Sequence, residues 1–70
     1  MSNTTTTLNV KGMSCNHCVN SIKNAVGALP GVAGVTVDLN HQKVTVEFAP
    51  EQVTIGNIKE TIEDQGYEVV

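Results

Sequence analysis

The residues best suited to chemistry are two cysteines, Cys15 and Cys18, which stand three positions apart in the segment SCNHC. A strand-like pattern broken by Gly12 precedes them and a helical pattern follows, which places both thiols near the start of a helix. Thiols at this spacing can point the same way, so that one soft ion contacts both sulfurs. The N-terminus of a helix favours negative charge, which lowers the pKa of a cysteine thiol and increases its thiolate fraction. The segment is therefore predicted to be a reactive thiol pair.

The small number of donor groups limits which metal this pair could hold. Zinc usually takes four ligands, and the chain offers only two cysteines and two histidines. His17 lies inside the motif, whereas His41 lies on a hairpin that we expect to be distant from it. Monovalent copper accepts thiolates, and a two-ligand site with open sides can pass its ion to other thiols by ligand exchange. We interpret the pair as a transfer site, and a thiol–disulfide oxidoreductase site is the alternative that the spacing leaves open.

The apolar residues predict the order β-α-β-β-α-β for the elements that carry this segment. Strand-like alternation occurs in three stretches, which contain Leu8 and Val10, then Val35, Val37 and Leu39, then Val44, Val46 and Phe48. Helical spacing occurs in two stretches, which contain Val19, Ile22, Val26 and Leu29, then Ile55, Ile58 and Ile62. Residues 67–70 form a last short strand. This order predicts a ferredoxin-like α+β sandwich, a four-stranded antiparallel sheet with two helices on one face.

Residues with special backbone preferences set the expected boundaries. Residues 2–7 are a polar, threonine-rich lead, and Pro30 ends the first helix because proline cannot continue it. Residues 40–42 are few enough for a hairpin between the two middle strands. Thr54 is the expected N-cap of the second helix, and Gly66 is the expected residue just after its end.

Length and charge exclude several classes of function. The chain has 70 residues, four lysines, no arginine and a formal net charge of −3. Seventy residues predict a single domain, 1–70. An acidic chain without arginine is a poor ligand for nucleic acid. No apolar stretch is long enough for a membrane span, and no secretory signal is evident, so we expect a cytoplasmic protein without membrane insertion.

The segment GMSCNHC, residues 12–18, resembles the G-M-[T/S]-C-x-x-C metal loop of the heavy-metal-associated (HMA) domain family. The expected element order matches the fold of that family along essentially the whole chain. The pattern C-x-H-C and the closing segment EDQGY, residues 63–67, are similar to those of the bacterial CopZ-type copper chaperones within the family.

This resemblance implies roles for several residues around the loop. It implies that Cys15 and Cys18 bind Cu(I), and that Tyr67 lies beside the loop. It also implies that Met13 packs beneath the loop without binding the metal. The residues that would surround the thiolates are Met13, Ser14, His17 and Tyr67. Ser14 replaces the more common threonine and keeps the hydroxyl group.

The resemblance also implies a function. A protein of this kind carries copper to the metal-binding domains of a copper-transporting P-type ATPase, or to a copper-responsive repressor, and is not an enzyme. We expect a monomer without metal, and a copper-bridged dimer as a second form. A metal-binding module cut from a P-type ATPase is an alternative origin for the chain. The acidic residues Glu60, Glu63 and Asp64 are expected on a solvated helix face, where they could assist docking to a basic partner.

Overall fold

The computed structural model describes residues 3–13 and 16–70, which form four strands and two helices in the expected order. The elements are β1 (Thr4–Lys11), α1 (Asn16–Gly27), β2 (Val32–Asp38), β3 (Lys43–Phe48), α2 (Ile55–Asp64) and β4 (Glu68–Val69). Neither described helix has the length and apolar character that a bilayer span requires.

The strands form one antiparallel sheet in the order β2-β3-β1-β4. The central pair runs from Thr4 opposite Phe48 to Asn9 opposite Lys43. β2 pairs with the other side of β3, and β4 pairs with the last two residues of β1. This topology confirms the ferredoxin-like α+β sandwich.

The core lies between the sheet and the helices because each strand turns alternate residues to the same face. On β1, Leu8 and Val10 are buried while their neighbours Thr7 and Asn9 are exposed. The buried residues are Leu8, Val10, Met13, Ile22, Val26, Val44, Val46, Phe48, Val53, Ile58 and Ile62. Complete burial of such a side chain stabilises the fold by about 1.5–3 kcal/mol. No polar side chain is buried among the described residues.

The first helix is shorter than its apolar spacing predicts. α1 buries Ile22 and Val26 as expected, but it ends at Gly27, so the placement of Leu29 on the helix is wrong. The residue before a proline is disfavoured in the α region, and Leu29 precedes Pro30. The Leu29 N–H instead donates to the Val26 carbonyl at 3.1 Å in a tight turn. Leu29 still packs against the core as a half-buried side chain.

The second helix begins and ends as the sequence predicts. The Thr54 hydroxyl accepts a hydrogen bond from the backbone N–H of Asn57 at 3.2 Å, which caps the start of α2. Gly66 follows the end of α2 with a φ of 96°, a left-handed conformation that glycine adopts without steric cost. Both boundary predictions are therefore confirmed.

The strand boundaries differ from the expected ones in three places. Residues 4–7 are part of β1 rather than a separate lead, because threonine favours extended backbone and β3 offers a partner. β2 begins at Val32, earlier than the alternation that starts at Val35. β4 contains only Glu68 and Val69 of the expected residues 67–70.

The hairpin between β2 and β3 lies at the same end of the sheet as the loop that follows β1. The Val10 N–H donates to the Gln42 carbonyl at 2.9 Å, which ties the hairpin to β1 two residues before Gly12. The hairpin that carries His41 is therefore closer to the end of β1 than its separation in sequence indicates. Antiparallel pairing of β1 with β3 brings the start of β3 to the end of β1, and sequence separation alone does not reveal this.

Candidate metal site

The chain between β1 and α1 is fixed at its beginning by Gly12 and Met13. Gly12 has a φ of 98°, which turns the chain sharply at the end of β1. Met13 follows with only 3% of its surface exposed, as part of the core. A buried thioether at this point anchors the chain just after β1 to the core. Met13 is therefore part of the core, and its position beneath the metal loop stays a prediction from the resemblance.

Tyr67 lies beside the beginning of the loop. A Cβ atom built on Gly12 would stand 3.6 Å from Cδ1 of the Tyr67 ring. The half-buried Tyr67 side chain also packs against the core. The ring therefore forms one wall at the base of the loop, a contact between two residues that are far apart in sequence.

Cys18 lies in the first turn of α1, as its third residue. Its side chain is half-buried and packs against the core. No acidic side chain occupies the first turn of this helix. Negative charge on the sulfur would therefore meet the unopposed positive end of the helix dipole.

The remaining sequence-predicted residues are only partly placed by the structure. His17 is exposed at the second position of α1. Ser14 and Cys15 lie outside the described residues, so their roles remain predictions from the sequence. Within residues 3–13 and 16–70, no three side chains of His, Cys, Asp or Glu are grouped as a multidentate metal site would require.

A carboxylate–imidazole pair is present on the hairpin at the same end of the sheet. Oδ2 of Asp38 lies 2.8 Å from Nδ1 of His41, and Oδ1 accepts the backbone N–H of His41 at 3.2 Å. These hydrogen bonds, led by the side-chain bond, lower the pKa of the Asp38 carboxyl from its usual value. The side chain of His41 is 72% exposed, as expected for a turn residue. Sequence reasoning missed this pair, although an Asp three residues before a turn His is a recognisable turn-capping pattern.

The acidic residues of α2 lie in solvent as expected. Glu60, Glu63 and Asp64 are all exposed, and no basic residue occupies the last turn of the helix. Glu68 on β4 lies opposite Lys11, the last residue of β1. Opposite charges at such a cross-strand position stabilise a sheet by about 0.2–1 kcal/mol.

Comparison with known proteins places this geometry in a family. Residues 7–68 match the model of the heavy-metal-associated domain. The copper chaperone CopZ of Bacillus subtilis (strain 168) is 49% identical over 63 residues, which cover 90% of this chain and 91% of that protein.

Solved structures show the same fold along nearly the whole chain. A structure described as the CopZ metallochaperone has a TM-score of 0.94 and 39% identity, and the match covers 96% of this chain and 100% of that one. The N-terminal domain of a potential copper-translocating P-type ATPase from Bacillus subtilis, in the Cu(I)-loaded state, has a TM-score of 0.91 and 29% identity. That match covers 99% of this chain and 85% of the other. The chain belongs to the heavy-metal-associated domain family.

Proposed function

We propose that the protein is a copper chaperone that binds Cu(I) through the thiolates of Cys15 and Cys18. This proposal rests on the similarity of the chain to proteins named copper chaperone CopZ. The sequences are 41–49% identical along about 90% of both chains. In this proposal residues 1–70 act as one domain, in the cytoplasm, as a metal carrier rather than an enzyme.

The described part of the site supports thiolate chemistry. Cys18 lies in the first turn of α1, where the helix dipole favours a thiolate over a thiol. Met13 and Tyr67 support the base of the loop from the core and from the side. Thiolate sulfur is the donor that monovalent copper prefers. Divalent ions that prefer oxygen ligands would meet few such donors in the segment of residues 12–18.

Transfer follows from the small number of ligands. A thiolate of a partner protein attacks the two-coordinate Cu(I), and a new Cu–S bond forms while the bond to Cys15 or Cys18 breaks. Copper keeps its +1 state and no electron is exchanged. The released thiolate either remains anionic or takes a proton from water. Repetition of this step at the second sulfur moves the ion completely.

The partner we propose is a metal-binding domain of a copper-transporting P-type ATPase. The similarity of this chain to the N-terminal domain of such a potential ATPase supports a pairing of two like domains, each presenting an equivalent loop. The exposed Glu60, Glu63 and Asp64 would favour a partner with basic residues around its loop. A copper-responsive repressor is the second recipient in this proposal.

Anaerobic titration with Cu(I) against a competing Cu(I) chelator tests the ligand assignment. The parent protein is expected to retain copper against the chelator, and the double variant Cys15→Ser, Cys18→Ser is expected to lose it. His41→Ala is the matched control, because His41 lies at the same end of the sheet but outside the proposed site. Equal copper retention by the parent and the double variant would refute the assignment. Metal-independent turnover of a disulfide substrate by the parent would favour an oxidoreductase instead.

Sedimentation with and without copper tests the proposed assembly. We propose a monomer in the absence of metal and a copper-bridged dimer when copper is in excess over free thiols. His17 is exposed beside Cys18 and could supply a further donor to a shared ion. Loss of the dimer in His17→Ala would support that role. An unchanged dimer in this variant would assign the bridge to the cysteines alone.

A further inference from the structure

One side of β1 lacks a partner strand over most of its length. β1 spans Thr4–Lys11, but β4 pairs only with Val10 and Lys11. The Val70 N–H adds one hydrogen bond to the Asn9 carbonyl at 2.8 Å. Within residues 3–13 and 16–70, no strand pairs with residues 4–8 on this side. We call this unpaired edge of residues 4–8 the β1 slot.

The hydrogen bonds at the other end of β1 show which backbone groups face the slot. The Val10 N–H points to the β3 side, where it donates to Gln42, and the Asn9 carbonyl points to the β4 side. Backbone direction alternates along a strand, so the N–H and C=O groups of Thr5 and Thr7 face the slot. The side-chain hydroxyls of Thr7 and Thr45 lie 3.1 Å apart. Such closeness is typical of pairs that exchange no backbone hydrogen bonds, which confirms the assignment.

The β1 slot lacks three features that commonly protect an edge strand, namely charged residues, proline and a β-bulge. Such edges commonly carry lysine, proline or a β-bulge. Residues 4–8 contain no charged residue and no proline, and their register with β3 is regular. The other edge strand, β2, does have an irregularity, between Val32 and Gly34. Thr5 and Thr7 are both exposed residues.

We propose that the β1 slot binds an extended segment of a partner protein, which adds to the sheet as an antiparallel strand in line with β4. The four outward groups of Thr5 and Thr7 supply two donors and two acceptors to it. Thr6 is half-buried and Leu8 is buried on the helix side of the sheet. The segment therefore alternates small apolar residues on that side with polar residues on the open side, and carries no charge beside the threonines.

A second copy of this chain is a poor occupant of the slot. The connection from β3 to β4 crosses over β1, so α2 lies on the helix side of that strand. Neighbouring strands lie about 4.8 Å apart, whereas packed helices need about 8–10 Å. Pairing of two β1 strands would force two α2 helices into the same space. A terminal tail without a covering helix avoids this overlap.

The slot lies apart from the proposed metal loop. At about 3.4 Å per residue, Thr6 and Gly12 are about 20 Å apart along β1. A segment held in the slot therefore leaves the loop accessible and would act as a tether for a partner. This inference does not depend on copper binding, and it can fail or succeed independently of the proposed function.

Hydrogen exchange on an extended chain tests the slot directly. Five residues, Val-Thr-Val-Thr-Val, are appended after Val70, so that they continue β4 into the slot and need no intermolecular affinity. The matched control is Val-Pro-Val-Pro-Val, in which proline removes the two N–H groups that would bond to Thr7 and Thr5. Amide exchange at these two threonines is expected to slow at least tenfold with the first extension only. Exchange at Val46 should be unchanged, which verifies the fold.

Two results would overturn the inference. The slot does not accept a strand if Thr5 and Thr7 exchange equally fast in the parent and in both extended chains. The slot is already occupied if these amides are as protected as Val46 in the parent. The acetylated, amidated peptide VTVTV in trans provides the intermolecular measurement. Saturable NMR shifts at Thr5 and Thr7 support the proposal, and shifts confined to β2 contradict it.

Discussion

Two glycines with nearly the same backbone conformation should respond very differently to the same substitution. Gly31 and Gly66 have φ angles of 94° and 96°. A Cβ atom on Gly66 would meet nothing within 4 Å, whereas one on Gly31 would lie 2.7 Å from Cβ of Gln52 and 3.3 Å from Cγ1 of Val53. Replacement by alanine therefore separates the cost of the left-handed backbone from the cost of steric overlap.

The expected magnitudes follow from these distances. A left-handed conformation costs a non-glycine residue about 1–2 kcal/mol, which is the whole effect expected for Gly66→Ala. Gly31→Ala adds overpacking of about 1–3 kcal/mol, because Cβ of Gln52 cannot move without its backbone. A chain of this size has a total stability of about 4–10 kcal/mol. Gly31→Ala should therefore remove about 2–5 kcal/mol, a large part of the total.

Urea unfolding of the metal-free proteins, followed by circular dichroism, measures these differences. Gly27→Ala serves as the control for the substitution itself, since Gly27 has no positive φ and its Cβ would meet nothing within 4 Å. It should stabilise the last turn of α1 by about 0.5–1 kcal/mol. The reasoning is refuted if Gly31→Ala and Gly66→Ala lower the free energy of unfolding equally. An unfolded Gly31→Ala chain beside a folded Gly66→Ala chain would agree with it.

Three further substitutions test other parts of the fold and the site. Thr54→Ala should lower the free energy of unfolding by about 1 kcal/mol in urea, through loss of the α2 cap. The pKa of Asp38 is lowered mainly by its hydrogen bond to His41, so its stabilisation is present above about pH 4 and is lost as pH falls through the lower folded pKa. Asp38→Asn should therefore show a smaller loss of stability between pH 5 and pH 2, and an identical acid limb would contradict this. Gly12→Ala should cost about 1–2 kcal/mol in total, because alanine is strained in the left-handed backbone beside Tyr67. If that strain persists without metal, the free energy of unfolding of the metal-free protein falls. If the strain relaxes without metal, the Cu(I) affinity measured by chelator competition falls instead. No loss in either measurement would contradict the assigned loop geometry.

Local signals in the sequence predict much of the fold. Thr54 and Gly66 were recognised as helix boundaries because a capping hydroxyl and a left-handed glycine act within a few residues of their own position. The alternation on β3 likewise identifies Val44 and Val46 as buried from neighbouring residues alone. Such features depend on local backbone geometry, which a sequence encodes directly.

Features that depend on tertiary contacts were not predictable in the same way. The tie between Val10 and Gln42 joins segments that only the sheet brings together. The position of Tyr67 beside Gly12 is expected from the family resemblance and not from any local pattern. The error over Leu29 has a different origin, since helical spacing continued past the point at which Pro30 made the α conformation unfavourable. The proposed ligand pair rests on spacing and family membership, and Cys15 lies outside the described residues.

The register of the central strand pair has a consequence for biosynthesis. Thr4 lies opposite Phe48 on β3. The ribosome synthesises Phe48 about 2–9 s after Thr4 at ordinary elongation rates, so β1 cannot pair with β3 before then. The β2–β3 hairpin, whose contacts are local, can form before β1 joins it. The loop after β1 gains its support from the core only at that late step. A nascent chain would therefore expose its cysteines for seconds before the fold can control which metal or oxidant reaches them.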